Sequence, residues 1–228
     1  MALKTVRFRM ADRCSLFEAA RWTASSYNEQ PWNYLVATRE NSLDFGRLLS
    51  CLVEANQTWA KTAPVLVLSV VSLQFSKNQQ DNRAAVHDQG LAAGNLVVEA
   101  MARGLSVHQM IGILPDKARE VYRIPEHFDA WTAMAIAYQA DPATLPNALR
   151  ARDLTPRQQK RLSKFVFTGQ WGQPSALVLK CEPRPRCDDE THPPIDHGDV
   201  IGRLRADRLS IAKSQDAGRK QRCANDTK

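Results

Sequence analysis

Aromatic residues run out early in this chain. All sixteen lie between Phe8 and Trp171 of the 228 residues, so the last 57 positions hold none. That closing stretch also carries five of the twelve prolines and three of the five cysteines, and it offers little to bury. Long apolar runs are missing too. The longest, Ala63–Val71, is broken by Ser69, whereas a membrane helix needs roughly 18–20 such residues. The opening MALKTVRFRMADRC has no apolar centre and does not read as a secretory signal. An odd number of cysteines without regular spacing gives no disulfide framework and points to a reducing cytoplasm. The net charge of +7 is diffuse, +5 up to Gln173 and +2 beyond, with no Lys/Arg block interleaved with aromatics. A nucleic-acid partner is therefore not expected. Ordinary overall composition, 43% hydrophobic and 24% charged, excludes a collagen-like or wholly disordered chain.

What is present is a helix–strand alternation. Leu16–Trp22 predicts a short amphipathic helix that stops at Ser25–Ser26, with Pro31 blocking its resumption. Asn33–Thr38 has strand composition. Ser42 predicts a cap for a helix whose stripe runs through Phe45, Leu48, Leu49, Leu52 and Val53. Beyond Pro64, the run VLVLSVVSL is apolar on both faces and predicts a central strand. Lys77–Arg83 reads as a loop and Ala84–Arg103 as a long helix closed by Gly104. Leu105–Met110 reads as a strand, Asp116–Tyr122 as a helix and Trp131–Tyr138 as a buried strand. The fold class is α+β, a sheet sandwiched by helices. Residues 1–173 are expected to form the folded domain and 174–228 a disordered tail, in which a helix over 200–214 is the one amphipathic segment.

Chemistry-bearing residues fall in a few places. SSYNEQPW (Ser25–Trp32) clusters hydroxyls and amides at a helix-to-strand junction, suited either to the polar edge of a planar heterocycle or to a helix end bonding itself. Asn56 in ANQTWAKTAP stands where a cap would. The basic run Arg150–Lys164 suits an anionic ligand or a solvated helix face. His87–Asp88 reads as a helix-start feature, because adjacent residues do not share a helix face. No Ser/His/Asp constellation is found. In the tail, Cys181, Cys187, His192 and His197 are spaced C-x5-C-x4-H-x4-H, without the short knuckle of zinc sites. No metal is assigned.

Five segments occur in one order: LFEAARWTASSYNEQPW, NQTWAKTAPVLVL, HDQGLAAGNLVVEAMARGLSVHQMIG, KAREVYRIPE and FVFTGQWG. Together they resemble the nitroreductase family of FMN-dependent oxidoreductases, over about residues 15–172. The resemblance implies a mainly antiparallel central sheet flanked by helices, an intertwined homodimer, and FMN held at the subunit interface. It implies that Ser25, Ser26, Asn28 and Gln30 lie on the loop against the flavin, that Asn56 reaches its pyrimidine side, and that Ile111 and Gly112 form the turn whose backbone N–H approaches N5. It implies a basic partner for the phosphate or the ring's carbonyl edge in Arg157. The expected activity is hydride transfer from NAD(P)H, through the flavin, to a nitroaromatic, quinone or similar flat small-molecule acceptor. In such a cycle the redox work belongs to the cofactor.

The family's usual opening, Arg-x-Ser-x-Arg before an aromatic, is absent. Arg7, Arg9 and Arg13 are nearby, but without the serine or the spacing. Ala24 stands where the family usually has proline, and Gln159 where a second basic residue is common. Two explanations compete: a chain that begins late, or a protein that kept the fold and abandoned FMN to act as a non-catalytic interaction protein. Preservation of the flavin-facing loops as a set favours the first.

Overall fold

The structure, a computed structural model, describes residues 3–6, 9–145, 147–156 and 158–179. Along the chain these form β1 (Leu3–Lys4), α1 (Met10–Arg21), β2 (Trp32–Thr38), α2 (Ser42–Ser50), α3 (Glu54–Ala60), β3 (Val65–Ser72), α4 (Ala85–Ala102), β4 (Leu105–Met110), α5 (Pro115–Tyr122), β5 (Phe128–Gln139), α6 (Asn147–Leu154) and α7 (Ala176–Leu179). The chain divides into two compact units, Met1–Leu154 and Thr155–Lys228. Within the second, the described residues include the single turn of α7, a bridge between Phe167 and Pro174, and the Phe167 ring edge-on to Trp171 at 5.2 Å. The tail cysteines and histidines and the 200–214 segment lie outside the described residues.

The first unit is built on β3, in which every residue from Val65 to Val71 is buried. Side chains alternate between the faces of a strand, and here the alternation supplies two cores. Val65 and Val67 pack beneath α1 and α4 with Leu16, Leu96, Met134 and Ile136. Leu66, Leu68 and Val70 pack against Phe45 and Leu48 of α2, Ala60 of α3 and Ala118 of α5. Such a strand survives only in the middle of a sheet. β2 pairs with one edge of β3 and β5 with the other, both antiparallel, and β4 pairs antiparallel with the far edge of β5. The two residues of β1 pair with Tyr138 and Gln139, at the end of β5. The register jumps from Ser69↔Thr132 to Val70↔Ala130, which leaves Trp131 as the extra residue of a bulge in β5. The expected antiparallel sheet between helix layers is the architecture found. Among the described residues, no helix is long and apolar enough to cross a membrane.

Three local expectations change. α1 begins at Met10, six residues ahead of its apolar stripe, because its first turns are held by charge: Asp12 accepts from Arg9 at 3.0 Å and from Arg103 at 2.8 Å, and Ser15 donates to Glu99 at 2.6 Å. The cap of α2 is Asn41 and not Ser42, through an Oδ1 that accepts the Asp44 N–H at 3.2 Å. The α2 stripe also ends early. Leu52 leaves the helix to bridge Ile113, and the Val53 N–H bonds the Gly112 carbonyl at 3.1 Å, so that α3 starts as a separate helix. Gly104 closes α4 with φ 72°, as expected of a residue past a helix end.

Candidate functional site

Ser25 is extended (φ −143°, ψ 157°), and the next three residues make one tight turn. Tyr27, Asn28 and Gln30 all adopt the left-handed region, with φ of 53°, 56° and 53°. Each non-glycine residue there costs on the order of 1–3 kcal/mol, so the loop holds only because it is tied down. Within it, Ser25 Oγ accepts the Gln30 N–H at 2.9 Å and the Ser25 carbonyl accepts the Asn28 N–H at 3.0 Å. From outside, Asp88 Oδ2 accepts the Ser26 N–H at 2.8 Å. Glu29 accepts the Ser76 N–H at 2.8 Å, and the Tyr27 ring stands edge-on to Phe75 at 5.7 Å. The Pro31 carbonyl then takes the Ser72 N–H at 2.8 Å. Asn28 and Gln30 remain exposed, their polar side chains at the surface.

The second cluster forms where β4 ends. Asn56, in the middle of α3, donates from Nδ2 to the Gly112 carbonyl at 2.9 Å. That carbonyl also takes the Val53 N–H. Among the described residues the Gly112 N–H has no acceptor. A Cβ on residue 112 would sit 2.5 Å from Asn56 Nδ2 and 2.9 Å from Val53 Cγ2, so any larger residue there must displace these side chains. Ile111 beside it is 76% exposed. The arrangement immobilises the turn through its carbonyl and leaves its N–H available.

Sheet topology directs the two clusters toward one end of the molecule's sheet. β2 starts and β3 finishes at the end where β5 begins, and β4 runs toward that end but stops opposite Ala133, midway along β5. The clusters leave from opposite outer strands, separated by three strand spacings of about 4.8 Å each. Arg157 lies outside the described residues, as does Arg7. Arg9 pairs with Asp12, and Arg13 with Glu40 at 2.7 Å. The donor set therefore fits the ring of a flavin: neutral hydroxyls and amides on one loop, and an amide beside an available N–H on the other. Described arginines near the N-terminus are already on carboxylates. No cluster of three His, Cys, Asp or Glu among the described residues is placed to hold a metal.

No protein-family model matches the chain. It is 30% identical over 126 residues, 55% of its length, to an uncharacterized 15.4 kDa protein of the ask 5′ region of Mycolicibacterium smegmatis, and it covers 84% of that protein. The structure is similar to a crystal structure of an oxidoreductase containing FMN, with a TM-score of 0.69 and 28% identity over 75% of this chain and 86% of that one. It is also similar in fold to a nitroreductase family protein of Clostridium difficile 630, with a TM-score of 0.52 and 14% identity over 65% of this chain and 88% of that one. The fold of this chain is nitroreductase-like. The chain belongs to one family with the Mycolicibacterium smegmatis protein.

In this nitroreductase-like fold, the residues that the sequence picked out fall into two groups. Ser25, Ser26, Asn28 and Gln30 share the strained loop, and Asn56 meets Gly112 beside Ile111. Sequence reasoning missed Asp88, which it read as a helix-start feature. A signal was available: Asp88 shares a helical face with Ala85, Ala92 and Leu96, all buried. An acid on an apolar face has a partner to find.

Proposed function

We propose that the chain is an FMN-dependent oxidoreductase that moves reducing equivalents from NAD(P)H to a flat organic acceptor of the nitroaromatic or quinone kind. The observation that carries this reading is the turn at Gly112, whose carbonyl is held by Asn56 and Val53 while its N–H has no acceptor among the described residues. Bound FMN would supply the two-electron chemistry, with hydride taken up at N5 and passed to the acceptor. The chain's own part is to hold and tune. Gly112 N–H would donate toward N5 from a turn too constrained to follow the ligand. Asn56 would orient that turn and offer its amide oxygen to the pyrimidine edge. Ser25, Ser26, Asn28 and Gln30 would line the other side with neutral donors and acceptors, and Arg157 would meet the negative charge of the phosphate or the reduced ring.

A homodimer is part of the proposal. The exposed residues of α4 include Gly90, Leu91, Gly94, Val98 and Met101, apolar or small, flanked by the polar His87 and Asn95. A Cβ on Gly90 or Gly94 would meet nothing within 4 Å. Small residues four apart on an exposed apolar helix face suit a close approach of a second copy, and that copy would bring its own loops to the edge of this sheet. Free thiols at Cys14 and Cys51 agree with a cytoplasmic setting.

A second reading has a specific observation behind it. Arg9 and Arg13 are engaged by Asp12 and Glu40, which favours a protein that keeps the fold without FMN. One experiment separates the two. The purified chain is examined for visible flavin absorption, titrated with FMN, and then mixed anaerobically with NADH or NADPH. A yellow protein that bleaches supports the oxidoreductase; a colourless chain that takes up no added FMN overturns it.

A further inference from the structure

We propose that Asp88 is a positioning residue that presets the flavin-facing loop, a role that rests on the flavin reading above. Its side chain is almost wholly buried on the inner face of α4 and lies 62 residues beyond the backbone it holds. Oδ2 accepts the Ser26 N–H at 2.8 Å, and Oδ1 lies 2.9 Å from Nδ1 of the exposed His87 ring. A buried carboxylate is tolerated only where hydrogen bonds replace its water. Here one of those bonds goes to a loop with three left-handed residues in four positions.

The tie has a companion. Seven residues along the same helix, Asn95 Nδ2 donates to Thr23 Oγ1 at 2.7 Å, and the Thr23 side chain is itself buried. Residues seven apart lie on nearly one line of a helix, about 10.5 Å from one another. α4 therefore grips the segment from the end of α1 to the loop at two points, Thr23 and Ser26. Between Ser26 and β2, the other outside ties are the Glu29 carboxylate and the Tyr27 ring, both to the 75–76 segment, and the Pro31 carbonyl, which takes the Ser72 N–H next to the start of β2. Releasing Ser26 frees the stretch that carries Asn28 and Gln30, and a flexible loop must lose that freedom each time a ligand binds. Asp88 acts on the flavin-facing loop through Ser26, not by touching cofactor or substrate.

The test uses the full chain with Asp88→Ala and the near-isosteric Asp88→Asn, whose amide oxygen still accepts the Ser26 N–H. Hydrogen exchange of residues 25–30 is measured by mass spectrometry, FMN affinity by quenching of flavin fluorescence, and the visible band of the FMN-saturated protein is recorded. Asp88→Ala is expected to exchange the loop about tenfold faster and to weaken FMN binding about tenfold, the size of one charge-assisted hydrogen bond. Its saturated protein should show a displaced flavin band. Asp88→Asn should stay within about threefold of the parent in both measures, since the geometry is kept. Parent-like exchange and affinity in Asp88→Ala would overturn the proposal, as would an Asp88→Asn that falls as far as the alanine variant. If the parent itself takes up no FMN, the flavin reading fails instead. The exchange measurement then still decides whether Asp88 holds the loop, with parent-like exchange in Asp88→Ala overturning the anchor.

Discussion

Gly112 shows how much a single residue can carry. Nothing about its backbone demands glycine; the demand is spatial, since a methyl group would press on Asn56 Nδ2 and Val53 Cγ2 at 2.5 and 2.9 Å. Gly112→Ala is expected to displace Asn56, to destabilise by about 1–3 kcal/mol as an overpacked site does, and to weaken FMN binding in the same variant. Urea unfolding and flavin titration measure the two effects. Two tyrosines should lower stability as the solution turns alkaline. Burial pushes both Tyr34, beneath α4, and Tyr122, at the end of α5, up to about 12 from the ordinary 10.0. Between about pH 10 and 12 the unfolded chain has shed these protons and the folded chain keeps them. The unfolded state then binds fewer protons, so stability falls as pH rises. Urea midpoints followed across that window should drop, and Tyr34→Phe together with Tyr122→Phe should flatten the fall.

At the scale of elements, junctions matter more than interiors. Arg119 in α5 spans the turn into β5: Nη1 donates to the carbonyls of Ile124 at 3.0 Å and Pro125 at 2.6 Å, and Nη2 to that of Phe128 at 2.7 Å and to the Asp129 carboxylate. A planar fork with five donors can do this and an ammonium cannot. Arg119→Ala should cost about 2–3 kcal/mol in urea unfolding by leaving carbonyls unpaired, and Arg119→Lys should recover little of it. The same logic explains where the elements escaped the sequence. The first two turns of α1 hold no apolar stripe, because Asp12 and Ser15 are held by Arg103 and Glu99 of the α4 segment, some ninety residues along the chain. Likewise the break between α2 and α3 is invisible in the stripe Leu48, Leu49, Leu52, Val53, since what pulls Leu52 and Val53 out of helix are Ile113 and Gly112.

At the scale of the whole molecule, assembly turns on the outer face of α4. If two copies meet there, Val98→Arg, at a position 67% exposed in one chain, should give a folded monomer by sedimentation. Such a monomer should also lose most of its flavin, because each site would lack its second wall. An unchanged dimer in that variant would move the interface elsewhere. The central strand, the long helix with its glycine stop, and the residue types of both loops were legible in the sequence. Local physics determines them: periodicity, glycine at a helix end, and polar side chains at element junctions. Only the tertiary structure could decide that Asn56 secures Gly112, that Asp88 holds Ser26, and that both clusters leave strands running toward one end of the sheet. Those facts depend on pairings between residues 56 and 62 positions apart, and sequence periodicity carries no record of what a folded chain brings into contact across such distances.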